Sequence, residues 1–161
     1  DDFRNFFRTD KAKTLIDVHS CINSVSSILE AQFVANKIEV QSVGKTFSFL
    51  GFQSEFQQAL INILSNSKDA LVDNKNIKER HILIEYNVDT LSILDNAGGI
   101  DPSIINRVFD PYFTTKPHGK GTGIGLYMCK QIIEEKLGCS LSVKNQQWQH
   151  GTGAKFEIKI N

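Results

Sequence analysis

The chain has 161 residues, 40% of them hydrophobic, enough to bury one core but too few for two comfortable domains. Lysine plus arginine balances aspartate plus glutamate at 18 each, so no overall basic field favours nucleic acid or an anionic membrane, and any phosphate site must be local. Cys21, Cys129 and Cys139 are odd in number and fit no metal-ligand spacing, which predicts reduced thiols; this stretch also contains no run of about 18 apolar residues and no secretion signal.

In chain order, residues 1–10 (DDFRNFFRTD) alternate charge with Phe3, Phe6 and Phe7 at helical spacing, which predicts an amphipathic helix end whose aromatic stripe needs a partner. The abrupt start inside this pattern suggests part of something longer, with room for a membrane span upstream. From Thr14, with Asp17 early in the turn, Leu15, Val18, Ile22, Val25, Ile28 and Leu29 repeat at three and four residues and predict a long helix. The period then changes to two: residues 37–43 and 46–52, with Ile38, Val40, Phe47 and Phe49 as the apolar set, predict a hairpin around Val43-Gly44.

The spacing over residues 54–72 predicts the strongest helix, with Phe56, Leu60, Ile63, Leu64 and Leu71 on one face and Gln58, Asn62, Asn66, Asp69 and Asp73 along its flank. Residues 81–87 and 90–94 read as a strand pair around Val88-Asp89. Residues 101–125 form a long connection punctuated by glycine and proline, which in a compact domain points to a functional loop or lid. Residues 124–137 read as helix, and residues 139–143 and 154–160 as closing strands joined by a polar loop. Helices beside a strand-rich layer, without strict βαβ alternation, favour an α+β fold over a doubly wound one.

Three features along this path carry chemistry. Asn62 and Asn66 lie one helical turn apart, and a carboxamide oxygen is a hard ligand suited to Mg²⁺, which takes much of its shell from water and substrate phosphates. Asp95-Asn-Ala-Gly-Gly-Ile100 puts an acceptor-only carboxylate at a strand end, able to receive the exocyclic amine of adenine, before glycines that let the backbone approach a ligand. Gly119, Gly121, Gly123 and Gly125 alternate just before a helix, where exposed N–H groups and the helix's positive end make a phosphate site. The run lacks the Gly-Lys-Ser/Thr of a P-loop and does not follow a first strand, so it is neither Walker-like nor Rossmann-like.

In this order the residues resemble the GHKL ATPase superfamily, and within it the catalytic domain of sensor histidine kinases, over residues 58–156. Residues 58–70 resemble its N box, 95–100 its first glycine box, 108–116 (VFDPYFTTK) its F box, 119–126 its second glycine box and 151–156 its last. The resemblance implies a two-layer α/β sandwich, the Bergerat fold, with a mixed sheet and about three helices on one face. It implies that Asn66 ligands Mg²⁺, that Asn62 and Asp69 sit near the phosphates of ATP, and that Asp95 receives the adenine amine. Gly99 would give room beside the base, and Gly121, Gly123 and Gly125 would wrap the phosphates beneath a lid of about residues 109–120. Lys116 would neutralise charge on the γ-phosphate.

Two positions depart from the pattern. Ala97 replaces the first glycine of D-x-G-x-G, and Ala154 replaces a threonine that helps hold adenine, with Thr152 as a candidate substitute.

The function implied is transfer of the γ-phosphoryl of Mg-ATP to a histidine on a dimerisation domain outside this stretch, for two-component signalling. Residues 1–12 would end the dimerisation or linker helix and residues 13–161 would form the ATP-binding domain. His19, His81, His118 and His150 lack the acidic residue and Asn-Pro context of the family's phosphoacceptor and are assigned to structure or solvent. Implied partners are that dimerisation domain and a response regulator, in a homodimeric full-length protein; a cytoplasmic location is expected, whether or not an inner-membrane anchor lies upstream. Two alternatives stay open: a non-catalytic nucleotide-binding interaction module, or an ATP-hydrolysing GHKL member, disfavoured because Asn62 stands where those carry a carboxylate general base.

Overall fold

The computed structural model describes residues 12–116 and 123–161. The Phe3, Phe6 and Phe7 stripe and the Gly119 to Thr122 part of the glycine run lie outside the described residues. The elements are β1 (Thr14–Asp17), α1 (Val18–Ala35), β2 (Ile38–Gly44), β3 (Ser48–Gly51), α2 (Gln53–Asp73), β4 (Arg80–Asn87), β5 (Thr90–Asp95), a 3-10 turn (Ile105–Arg107), α3 (Gly125–Lys130), β6 (Ser140–Trp148) and β7 (Gly151–Lys159). α3 continues as a π-helical segment over Gln131–Lys136.

Five strands form one mixed sheet in the order β2-β4-β5-β7-β6, with β2 parallel to β4 and every other pair antiparallel. Alternation within the strands sends Ile82, Ile84, Leu91, Ile93, Phe156 and Ile158 into a single core with the apolar faces of the three helices. The opposite face carries charge pairs, Lys144 with Glu157 at 3.3 Å and Lys155 with Glu85 at 3.9 Å. The α+β expectation is thus met. α2 runs through the middle, and Phe56, Leu60, Ile63, Leu64 and Leu71 on its inner face are all fully buried.

Three local expectations are corrected. The segment from Thr14 is not the start of a helix: residues 14–17 form β1, and Asp17 caps α1 by accepting from the Ser20 N–H at 2.9 Å. That N–H, with the Ser20 and Thr46 hydroxyls, holds the Asp17 carboxyl below its usual range. Leu15, in β1, points outward at 71% exposure, and Ile28 lies off the buried face of α1 at 64%. The strands flanking Gly44 do not form a hairpin, because β2 pairs in parallel with β4 while β3 pairs antiparallel with β1 in a separate two-stranded sheet. Finally, β6 and β7 extend through most of the expected polar loop and pair from Ser140 with Lys159 to Trp148 with Gly151.

Candidate nucleotide-binding cleft

Helical spacing along α2 brings Asn62, Asn66, Asp69 and Asp73 to one wall of a cavity of about 570 Å³. Gly99 and Ile100 from the turn after β5, residues 113–116 from the lid, and Gly123 and Gly125 at the start of α3 supply the other walls. Every described residue of the expected phosphate and metal set therefore converges on one space. Gly121 lies outside the described residues. Val108 and Phe113 of the expected F box supply apolar walls, and Ile104, which the sequence did not single out, adds another because the long connection folds back.

Asp95 is not a wall residue of this cavity. It ends β5 with 1% exposure, and its Oδ1 accepts from the N–H groups of Ala97 at 2.9 Å and Ala154 at 3.2 Å. Its Oδ2 is buried with no hydrogen-bond partner among the described residues, as is the Ser67 hydroxyl nearby. Burial pushes the carboxyl up to about 6, against the lowering influence of the two N–H donors. Ala97 in the first-glycine position is accommodated: its carbonyl accepts from Asn74 Nδ2 at 2.8 Å and it has a part-buried side chain against the core. Ala154 contributes through its backbone, and the Thr152 carbonyl accepts from the Gly98 N–H at 2.8 Å.

Gly123 joins lid and helix. Its carbonyl accepts from the Tyr112 N–H at 2.9 Å, its φ is +72°, and a Cβ there would fall 2.4 Å from the Tyr112 carbonyl carbon. Only glycine fits such a combination. The lid base is held by cations over rings, Arg107 over Phe113 at 4.6 Å and Lys130 over Phe109 at 4.9 Å. Lys116 reaches across the cleft to pair with Asp69, which also meets Lys68 at 3.3 Å. Asn62 Nδ2 lies 3.5 Å from the Gly125 carbonyl, linking α2 to the start of α3.

The described histidines make structural contacts: His19 Nδ1 meets the Tyr86 hydroxyl at 2.9 Å, and His81 stacks on His150 with ring centroids 3.6 Å apart. His118 lies outside the described residues. The three cysteines are buried and free.

A glycine-lined cavity, helix-borne carboxamides and a buried carboxylate thus meet in one region of the fold. Residues 51–161 match the family described as histidine kinase-, DNA gyrase B-, and HSP90-like ATPase, and the chain belongs to that family. Among curated relatives, the two-component sensor PprA of Pseudomonas aeruginosa is 32% identical over 152 residues, covering 89% of this chain and 16% of the relative. Sporulation kinase A of Bacillus subtilis is 30% identical, covering 78% of this chain and 21% of the kinase. The chain therefore spans about a sixth to a fifth of the length of these relatives. Among solved structures, the catalytic domain of histidine kinase ThkA has a TM-score of 0.72 at 24% identity, covering 92% of this chain and 96% of that one. The mycobacterial sensor histidine kinase MprB has a TM-score of 0.74 at 21% identity, covering 91% and 97%. These two likenesses establish the shared fold.

Proposed function

We propose that the chain is the ATP-binding catalytic domain of a sensor histidine kinase, passing the γ-phosphoryl of ATP to a histidine on a dimerisation domain outside the described residues. The observation that carries this reading is the pairing of an orphaned buried acceptor, Asp95 Oδ2, with a cleft walled by Asn62, Asn66, Gly123 and Gly125. An orphaned acceptor beside a cleft suits the amino hydrogens of adenine. Sensor kinases among the relatives support the same reading.

The donor set also fits Mg²⁺. Mg²⁺ takes most of its shell from phosphate oxygens and water, so one carboxamide oxygen from the protein suffices. Asn66 would hold it through its carboxamide oxygen, and when bound the ion neutralises phosphate charge. Asn62 would orient the phosphate chain, Asp69 would stand beside it, and Lys116 would exchange its Asp69 partner for a γ-phosphate oxygen. The accepting histidine nitrogen forms the new P–N bond as the bond to the ADP oxygen breaks, a displacement governed by positioning and electrostatics. Asn62 cannot act as a general base towards water, which disfavours the hydrolytic reading. Residues 1–12 are assigned to the end of the dimerisation or linker helix. The ThkA kinase is known in complex with the response regulator protein TrrA, and a response regulator is the downstream partner proposed here. No helix among the described residues is long and apolar enough to cross a membrane. The domain is assigned to the cytoplasmic side, where ATP is available.

Calorimetric titration with ATP and Mg²⁺, with hydrolysis followed in the same sample, tests the reading. Binding that is lost in Asp95→Asn, with little phosphate released, is the expected result. Absence of binding to the wild-type chain would favour the interaction-module alternative, and rapid hydrolysis the ATPase branch.

A further inference from the structure

β6 lies outside the glycine-rich and asparagine-bearing motifs, yet it places two side chains on the turn that follows β5. Asn145 Oδ1 accepts from the Ile100 N–H at 2.7 Å, and Asn145 Nδ2 donates to the Ile100 carbonyl at 2.6 Å. One carboxamide thus occupies both backbone groups of a single residue, as a neighbouring strand would. At the other end of the turn the Trp148 indole N–H donates to the Asp95 carbonyl at 2.9 Å. Between them the backbone takes positive φ twice, +103° at Gly98 and +85° at Gly99. A turn in that conformation has little stiffness of its own, because glycine gives up the most freedom on ordering. A Cβ on Gly99 would fall 2.9 Å from Asn145 Oδ1, so the glycine and the asparagine are fitted to one another. Gly99 and Ile100 are walls of the nucleotide cleft.

We infer that Asn145 is a positioning residue for base recognition: it fixes Gly99 and Ile100 against the sheet edge, so that the adenine-facing wall is formed before nucleotide arrives. This rests on the nucleotide-binding reading above. Pre-forming a wall removes an ordering cost that would otherwise weaken binding. The effect is confined to the base end, because α2 and the start of α3 supply the phosphate end independently.

The test compares affinity for Mg-ATP with affinity for Mg-tripolyphosphate, which has no base, in the wild-type chain, Asn145→Ala and Asn145→Asp. Asn145→Ala removes both hydrogen bonds to Ile100, and a loss of about tenfold in ATP affinity is expected with tripolyphosphate affinity unchanged. Asn145→Asp keeps an acceptor for the Ile100 N–H but opposes a carboxylate to its carbonyl, so it should show a base-specific loss as well. Equal losses for ATP and tripolyphosphate, or no loss for either, would overturn the inference and leave Asn145 a structural residue. If Asn145→Ala fails to fold, the Asn145→Asp ratio decides in the same way. Failure of the wild-type chain to bind ATP at all would instead overturn the functional reading on which this inference stands.

Discussion

Gly153 runs so close to Asp95 that a Cβ on it would lie 1.5 Å from the Asp95 carbonyl oxygen and 3.0 Å from its Oδ1. The contact fixes the buried carboxylate against β7, whose next residue, Ala154, donates its N–H to that Oδ1. Both neighbours are backbone or buried, so neither can yield without moving the site. Gly153→Ala is expected to cost about 1–3 kcal/mol of stability by overpacking, and to reduce nucleotide binding by more than the lost folded fraction explains. Urea denaturation and calorimetry on the same preparation separate the two effects. Wild-type affinity in a folded Gly153→Ala chain would show that the close approach is unrelated to the site.

Asp95→Asn should make the nucleotide-free chain more stable near pH 7 while abolishing ATP binding. Burial raises the native carboxyl from its ordinary 3.8 to about 6, so between those values the native state binds more protons than the unfolded one. Stability contributed by this group is therefore fully present below about pH 4 and is lost as pH rises through about 6. A neutral carboxamide avoids that loss, and its NH₂ can donate to the otherwise unpartnered Ser67 hydroxyl. The gain at pH 7 is on the order of 1–3 kcal/mol. In the wild-type chain, ATP affinity should fall as pH drops through about 6, because the protonated carboxyl no longer accepts freely. Thermal melts of both chains at pH 5 and pH 7.5 check the sign. A wild-type chain and an Asn variant with the same pH dependence would refute the assignment.

These relationships mark the limit of what the sequence makes legible. α2 and the β4–β5 pair are readable because each buries its own periodic face, and the same periodicity places Asn62, Asn66 and Asp69 on one flank. Pairing partners are less readable: alternation in residues 38–44 specifies a strand but not that its neighbour is β4, forty residues on, rather than the next apolar segment. The spacing of Leu15 and Val18 imitates a helix by coincidence, since Asp17 between them is a cap that ends one element and opens another. Asn145 and Trp148 carry no local signal at all, and neither does the bond from Asn74 to the Ala97 carbonyl. Their roles exist only once the sheet brings β6 and the end of α2 beside the glycine turn.

All three thiols should resist alkylation in the folded chain. Burial pushes Cys21 up to about 11 and Cys129 up to about 12, and raises Cys139 as well, so almost no thiolate exists near neutrality. Each side chain is also nearly inaccessible, and Cys129 donates its S–H to the Ala59 carbonyl at 3.3 Å. Mass spectrometry after iodoacetamide treatment at pH 7.5 should find no labelled cysteine, and three after denaturation. Rapid labelling of Cys129 in native buffer would mean that α3 and α2 separate readily in solution.

Lys116 and Asp69 face each other across the cleft, each about a third exposed, so the pair is half solvated and contributes at most about 1 kcal/mol to stability. Lys116→Met should therefore leave the melting temperature almost unchanged. If Lys116 serves the γ-phosphate, its loss should slow phosphoryl transfer to a histidine-bearing dimerisation domain by roughly 10- to 100-fold. ATP affinity should change much less, because most of the binding groups lie on α2 and at the start of α3. Single-turnover transfer measured beside calorimetry distinguishes the two effects. Asp69→Asn, which releases the lysine, should retain more transfer activity than Lys116→Met at low salt, where a free cation is least screened. Unchanged transfer in Lys116→Met would reduce the lysine to a surface partner of Asp69.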